Sequence, residues 1–365
     1  MEKRTRREFL KTAAAGAAAL SAAGIPKSPM AATTTPQEGL KIDFHAHMEI
    51  PEALDLLPEK PPVAAATLDA KSAAYQASLV AKITPQLRSP EKKIEDLKAM
   101  GLDMMIISIA PAQFFYNLKG DLSAKVVRLQ NERMAAIVQK YPGQFAGMAN
   151  VPMQDPEAAV KELEYAIKQL KLTGVEIASN INGKYLADPS FFPFFQKAGE
   201  LDVPVYIHPV NPAGSDKMRD YYFMNLLGFP LETTMTACGL IFSGTMEKLP
   251  GLKILLSHAG GYLPYIIGRV EHGFKVRPEC QGVISKSPVD YMKLFYYDTI
   301  THGTYGLRFL ISTVGADHVL LGTDYPYDMG DFVPLKSVDA VPGLSAADRA
   351  KIVGGNAKAI FKLSG

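Results

Sequence analysis

From residue 40 onward, short apolar runs alternate with longer stretches of helical period. Leu40-Lys41-Ile42-Asp43-Phe44-His45-Ala46-His47 opens the series. Ile42 and Phe44 alternate with other residues, and side chains two apart on a strand share a face, so both imidazoles of the His-x-His pair point the same way. Residues 48–89, rich in Pro, Ala and Lys, keep no clean period and read as an irregular excursion with some helix, long enough to serve as a lid or interface. Regularity resumes at Ser89-Pro90-Glu91: N-cap, first-turn proline and first-turn acid of a helix that Gly101 closes. Strands are then predicted at 104–109, 145–151, 175–179, 203–208, 252–257, 295–299 and 319–324. Helices are predicted at 122–140, 156–172, 189–201, within 217–249, and in the segments ending at 274 and 314. Eight nearly continuous apolar strands separated by helices predict the α/β class and a parallel sheet covered on both faces, hence a (β/α)8 TIM barrel over residues 40–365. The alternative is a doubly wound open sheet. No Gly-x-Gly-x-x-Gly follows the first strand, which removes that fold's usual nucleotide-binding rationale.

The N-terminus belongs to a different pattern. Thr5-Arg6-Arg7-Glu8-Phe9-Leu10-Lys11, followed by an Ala-rich segment to Gly24 and a Pro/Thr-rich stretch to Pro36, resembles a twin-arginine export signal. Its apolar core falls far short of the about 20 residues that a membrane span needs. Residues 1–31 are therefore expected to be a removed leader, cut between Ala22 and Thr33, with 32–39 a linker and a single catalytic domain behind it. The destination is the periplasm or the cell exterior. Twin-arginine systems export folded chains, so a metal can be fitted beforehand in the cytoplasm. Removal of the leader also changes the charge: 39 basic and 37 acidic residues, net +2, become 33 and 35, net −2. No basic patch calls for nucleic acid. Cys238 and Cys280, both in predicted helical segments, are too few for a disulfide framework and are expected to be free and buried.

Chemistry enters at the strand ends. His208 ends the fifth predicted strand, His258 follows the sixth and Asp324 ends the eighth. In a barrel, the C-terminal ends of the strands converge on one mouth, so four of the seven histidines and one aspartate share a rim. A His-x-His pair offers two nitrogens to one divalent ion, which still needs ligands from elsewhere. Glu176, on the fourth strand, reads either as a polar residue of a barrel layer or as a bridge to a second ion. His302, just past the seventh strand, is close enough to the mouth to touch a substrate. His272 reads as a structural helix residue, and His318 belongs at the opposite end of the barrel.

This rim pattern resembles the metal site of the amidohydrolase superfamily. More closely, Met153-Gln154-Asp155-Pro156, Phe229-Pro230-Leu231-Glu232-Thr233-Thr234, Ser257-His258-Ala259-Gly260-Gly261, Gly268-Arg269-Val270-Glu271-His272-Gly273-Phe274 with Arg277-Pro278, and Gly322-Thr323-Asp324-Tyr325-Pro326 are similar to aminocarboxymuconate-semialdehyde decarboxylase and its relatives. The resemblance implies that His45, His47, His208 and Asp324 hold one divalent ion, usually zinc, and that His258 is the catalytic acid/base beside Asp324. It also implies a homodimer in which Arg269 crosses the interface to bind a substrate carboxylate, a task suited to its planar fork.

The chain departs from this family in one respect. A second substrate-binding arginine is expected before the helix that opens at Ser89; Ala81 and Lys82 occupy the aligned neighbourhood and Arg88 is displaced. Two reactions compete for the same centre: nonoxidative decarboxylation of an unsaturated or aromatic carboxylic acid, and hydrolysis of a lactone, ester or amide. A noncatalytic binding protein is disfavoured because every ligand and the acid/base histidine are present.

Overall fold

The computed structural model describes residues 39–58 and 70–363. The leader expected over 1–31 and the linker as far as residue 38 lie outside the described residues. The barrel strands are β1 (Ile42–Met48), β2 (Met104–Ile109), β3 (Phe145–Ala149), β4 (Gly174–Ala178), β5 (Val205–His208), β6 (Ile254–Leu256), β7 (Tyr296–Asp298) and β8 (Val319–Leu320). They neighbour one another in chain order and every pairing is parallel. Both faces of each strand are covered, so β1 and β2 are buried along their whole lengths.

The ring closes between its two ends. Phe44 N donates to Leu321 O (3.1 Å), Asp324 N to His45 O (2.8 Å) and His47 N to Tyr325 O (2.8 Å), with a parallel bridge between Ala46 and Tyr325. Asp43, fully buried, fastens the seam: it accepts from the Thr323 hydroxyl (2.6 Å), Thr323 N (3.0 Å) and His45 N (3.0 Å). Burial pushes its carboxyl up to about 7, against the pull of these donors. The C-terminus supports the seam from outside, where Leu321 N donates to Ile352 O (2.9 Å). A Cβ on Gly354 would stand 1.7 Å from Leu40 O, so only glycine permits that approach.

Helices between the strands are α1 (Ala70–Arg88), α2 (Pro90–Ala99), α3 (Gly120–Lys140), α4 (Pro156–Lys168), α5 (Phe192–Glu200), α6 (Phe229–Phe242), α7 (Leu263–Val276) and α8 (Thr304–Val314). α2 starts as its sequence requires, with Ser89 Oγ accepting from Lys92 N (3.1 Å) and Pro90 in the first turn. The excursion after β1 is more regular than expected. α1 runs for 19 residues despite Pro85, and Leu79, Ile83 and Leu87 on it pack against Ala110 and Tyr327. Cys238 lies on α6 and Cys280 in a short 3-10 turn rather than an α-helix, because Pro278 restarts the chain after α7. Both thiols are free and only partly buried. Gly39–Gly365 forms one compact unit. Among the described residues no helix is long and apolar enough to cross a membrane.

Candidate active site

The seam that closes the barrel also assembles the site. His45 and His47 leave β1 on one face, with their Nε2 atoms 3.1 Å apart. Asp324, carried on the closing segment, places Oδ1 3.2 Å from His47 Nε2 and 3.3 Å from His45 Nε2. Two ligands each 2.0–2.1 Å from a tetrahedral ion stand about 3.3 Å apart, so this triangle has the size of an ion's coordination edge. His208 ends β5 with its ring centroid 4.9 Å from that of His47 and 5.4 Å from that of His45. Its Nδ1–H donates to Pro209 O (3.2 Å), and its Nε2 is buried without a protein partner, as a ligand nitrogen would be. One atom from each of His45, His208, His258 and Asp324 lies within 4.8 Å of the others.

At His45 the outer nitrogen explains the orientation of the inner one. His45 Nδ1 bonds Asp298 Oδ2 (2.9 Å), whereas His47 Nδ1 stands 3.9 Å from Glu176 Oε1, beyond hydrogen-bond reach. A ring whose Nδ1–H is engaged presents an unprotonated Nε2, the form that binds a metal. Glu176 thus stands behind His47, on the side of the ring away from Asp324. Burial pushes its carboxyl well above the usual range.

The electrostatics favour a cation at the centre. Burial drives His47 down to about 4 and His208 well below the ordinary imidazole range, keeping both neutral. Burial opposes a charge on His45 too, yet Asp324 and Asp298 push it up to about 10. Asp324 is buried, but His45, His258 and His47 hold its carboxyl well below the usual carboxylate range. Two imidazoles kept neutral beside an ionised carboxylate suit one divalent ion, whose charge would replace the proton that Asp324 and Asp298 draw onto His45.

Asp298 is the group that sequence reasoning missed. It is fully buried and accepts four bonds: Oδ2 from His45 Nδ1–H (2.9 Å) and His258 N (2.7 Å), Oδ1 from Ala259 N (2.7 Å) and Ile300 N (3.0 Å). One carboxylate therefore orients a ligand candidate and the backbone that carries His258. That backbone is held in the left-handed region at His258 (φ 52°) and Ala259 (φ 56°), as is Asp324 (φ 57°). Strained conformations of this kind persist only where their surroundings enforce them. Gly261 (φ 63°) completes the bend, since a Cβ there would meet Pro230 O at 2.2 Å. The signal that could have found Asp298 is its position at the C-terminal end of β7. Lys93 was also missed. Its fully buried ammonium donates to His47 O and lies 4.6 Å from the centre of the Tyr325 ring, while burial lowers it to about 7.

A cavity of about 410 Å³ opens from His258 and Asp324, and His302 is on its wall. His302 also has a left-handed backbone (φ 51°). Arg269 does not line the cavity and lies exposed on α7. Arg88 is paired with Glu49 (2.8 Å). The chain thus brings together His45, His47, His208, His258 and Asp324, adds His302 at the wall, and leaves Arg269 outside.

Comparison with known proteins follows the same lines. The Amidohydrolase family profile matches residues 42–363. The chain belongs to this family. A 2-amino-3-carboxymuconate-6-semialdehyde decarboxylase of Dictyostelium discoideum is 34% identical over 325 residues, covering 87% of this chain and 90% of its own. A gamma-resorcylate decarboxylase of a Polaromonas species is 34% identical over 301 residues, covering 77% and 91%. Among solved structures, a dihydroxybenzoic acid decarboxylase of Polaromonas with bound manganese and 2-nitroresorcinol superposes with a TM-score of 0.74 at 28% identity, over 89% of this chain and 97% of that one.

Asp298→Asn replaces an acceptor that serves four donors by an amide that cannot serve them all. Metal affinity, measured by competition with a chelator, is expected to fall about 10- to 100-fold while the far-ultraviolet circular dichroism is retained. An unchanged affinity would remove Asp298 from the centre.

Proposed function

We propose that this amidohydrolase is a metal-dependent nonoxidative decarboxylase of an unsaturated or aromatic carboxylic acid. His45, His47, His208 and Asp324 hold one divalent ion, and His258 moves the proton. The observation that carries this reading is the division of Asp324: Oδ1 faces His45 and His47, whereas Oδ2 faces His258 Nε2 at 3.4 Å. The ligand set suits zinc, while the Polaromonas relative holds manganese. A bound ion would supply Lewis acidity to a substrate oxygen, stabilising the ionised form of that oxygen and so keeping the conjugated carbon basic enough to take a proton.

His258, partly exposed at the cavity floor, gives a proton from Nε2 to the carbon that bears the carboxylate. The bond to the carboxylate carbon then breaks, its electron pair returns to the conjugated system, and carbon dioxide leaves. Neutral His258 is reprotonated through the open mouth. Asp324 Oδ2 holds the imidazolium in place, and His302 on the wall contacts the substrate. Arg269 reaches the carboxylate of a second copy's substrate across a homodimer interface. In support, Tyr265 on α7 is 83% exposed, and Tyr305 and Phe309 on α8 are 89% and 44% exposed, forming an apolar surface beside the mouth for a partner to cover. Arg6 and Arg7 direct export by the twin-arginine route to the periplasm or beyond.

Metal-loaded protein is expected to release carbon dioxide from hydroxybenzoates or unsaturated acids. His258→Ala should lower kcat by about 10²–10⁴ with the metal content by plasma mass spectrometry unchanged; acid release from lactones without carbon dioxide would favour hydrolysis instead. Arg269→Ala should raise KM about tenfold or more in a protein that light scattering shows to be dimeric, and a monomeric wild type rules the shared site out. Replacing Arg6 and Arg7 together by lysine should leave the unprocessed chain in the cytoplasm of its host, whereas normal processing would refute the export route.

A further inference from the structure

Beneath the mouth, α6 carries a carboxylate that the reaction does not use. Glu232, in the first turn of that helix, is fully buried and accepts hydrogen bonds from three separate segments. Oε2 takes them from Ser179 Oγ (3.3 Å) and Asn180 Nδ2 (2.9 Å), just past β4. Oε1 takes them from Tyr185 OH (2.8 Å), on the short hairpin that follows, and from Ala213 N (2.8 Å), beyond β5. A carboxylate out of reach of water persists only with such donors, and these donors belong to loops that leave the C-terminal ends of the strands.

Two of them lead to a ligand candidate. Ser179 Oγ, while donating to Glu232, accepts from Val210 N (3.2 Å), and Asn180 Nδ2 spends its second hydrogen on Val210 O (2.8 Å). Ser179 is itself fixed, since its N–H donates to His208 O (2.8 Å) and its carbonyl accepts from Thr236 Oγ1 (2.8 Å). The Val210 N–H shares a peptide unit with the Pro209 carbonyl. That unit is trans, so the two groups point in opposite directions. Holding the N–H on Ser179 therefore turns the carbonyl back towards His208 Nδ1 (3.2 Å). A carbonyl can only accept, so Nδ1 carries the proton and Nε2 is left unprotonated for an ion.

We infer that Glu232 is the positioning residue of His208: through Ser179 and the Pro209–Val210 peptide it fixes the tautomer and direction of the third imidazole, as Asp298 does for His45 by direct contact. This rests on the metal site of the decarboxylase reading, in which His208 is a ligand. Ser179, Asn180, His208 and Glu232 are all buried within one chain, so the linkage is complete whether or not a second copy covers the mouth. Tyr185 supplies a contrast. Its hydroxyl binds the other oxygen of the same carboxylate and otherwise faces Met235 Sδ (3.6 Å), away from residues 208–210.

Cobalt(II), whose visible absorption reports the geometry of its ligands, is the probe, with affinity read by competition with a chelator. Ser179→Ala removes the relay hydroxyl and leaves the carboxylate in place. It is expected to weaken cobalt binding about tenfold and to shift the visible bands, with the far-ultraviolet circular dichroism retained. Glu232→Met, which keeps the length and removes both acceptors, should weaken binding about 10- to 100-fold with the same spectral shift. Should that variant fail to fold, Ser179→Ala carries the test alone. Tyr185→Phe should lower the melting temperature and leave cobalt affinity and spectrum unchanged, although Glu232 loses a hydrogen bond there too. An unchanged affinity and spectrum in Ser179→Ala, or an equal loss in Tyr185→Phe, overturns the inference. His208→Ala separates this result from the reading beneath it. If His208→Ala loses cobalt while Ser179→Ala and Glu232→Met bind it as the wild type does, the metal centre stands and the role of Glu232 falls. If His208→Ala itself binds cobalt as the wild type does, the ligand set falls and the inference with it.

Discussion

Closure of the ring between β1 and the segment Leu321–Tyr325 is the constraint on which the site depends. Three backbone bonds and the Asp43 carboxylate hold this seam, and the same few residues supply His45, His47 and Asp324. An ion site assembled from adjacent strands is normally limited by how well the strands are held in register. Here, slippage by one residue would turn the imidazoles away from the mouth and strip Asp43 of its hydrogen bonds at once, so the register is enforced by a buried polar group as well as by apolar packing. Lys93 acts from behind, with its ammonium on the carbonyl of His47 itself.

Around that seam, carboxylates divide the work by position. Asp324 faces the centre, Asp298 and Glu176 stand behind His45 and His47, and Asp43 stands beneath them. Asp298 touches both His45 and the backbone of His258, which ties the two histidines together mechanically. Its two oxygens are shared among four donors, so small displacements of either histidine are felt by the other.

Much of this was legible in the sequence because barrel geometry turns strand ends into neighbours. His208 and Asp324 could be placed on one rim by counting strands to five and eight, and the parallel order confirmed that count. Ser89-Pro90 announced its helix because capping is local chemistry. Asp298 escaped since nothing local distinguishes an aspartate that orients another residue's ring from one that ends a strand. Lys93 escaped for the opposite reason: on the polar pattern of α2 a lysine reads as solvated, and only tertiary packing seals it. α1 was blurred by Pro85 and by a run of small residues that carry little periodic signal. The two-residue length of β8 shows why boundaries remain the weakest reading, since backbone bonds to β1 continue the ring beyond it.

The seam also sets a schedule. Asp43 and Thr323 lie 280 positions apart, and the brace at Ile352 lies further still. A chain made from its N-terminus exposes its first two imidazoles long before their carboxylate partner has been synthesised. The centre therefore cannot form on a growing chain: metal capture belongs to the finished polypeptide, after the last turn has docked beneath the first strand.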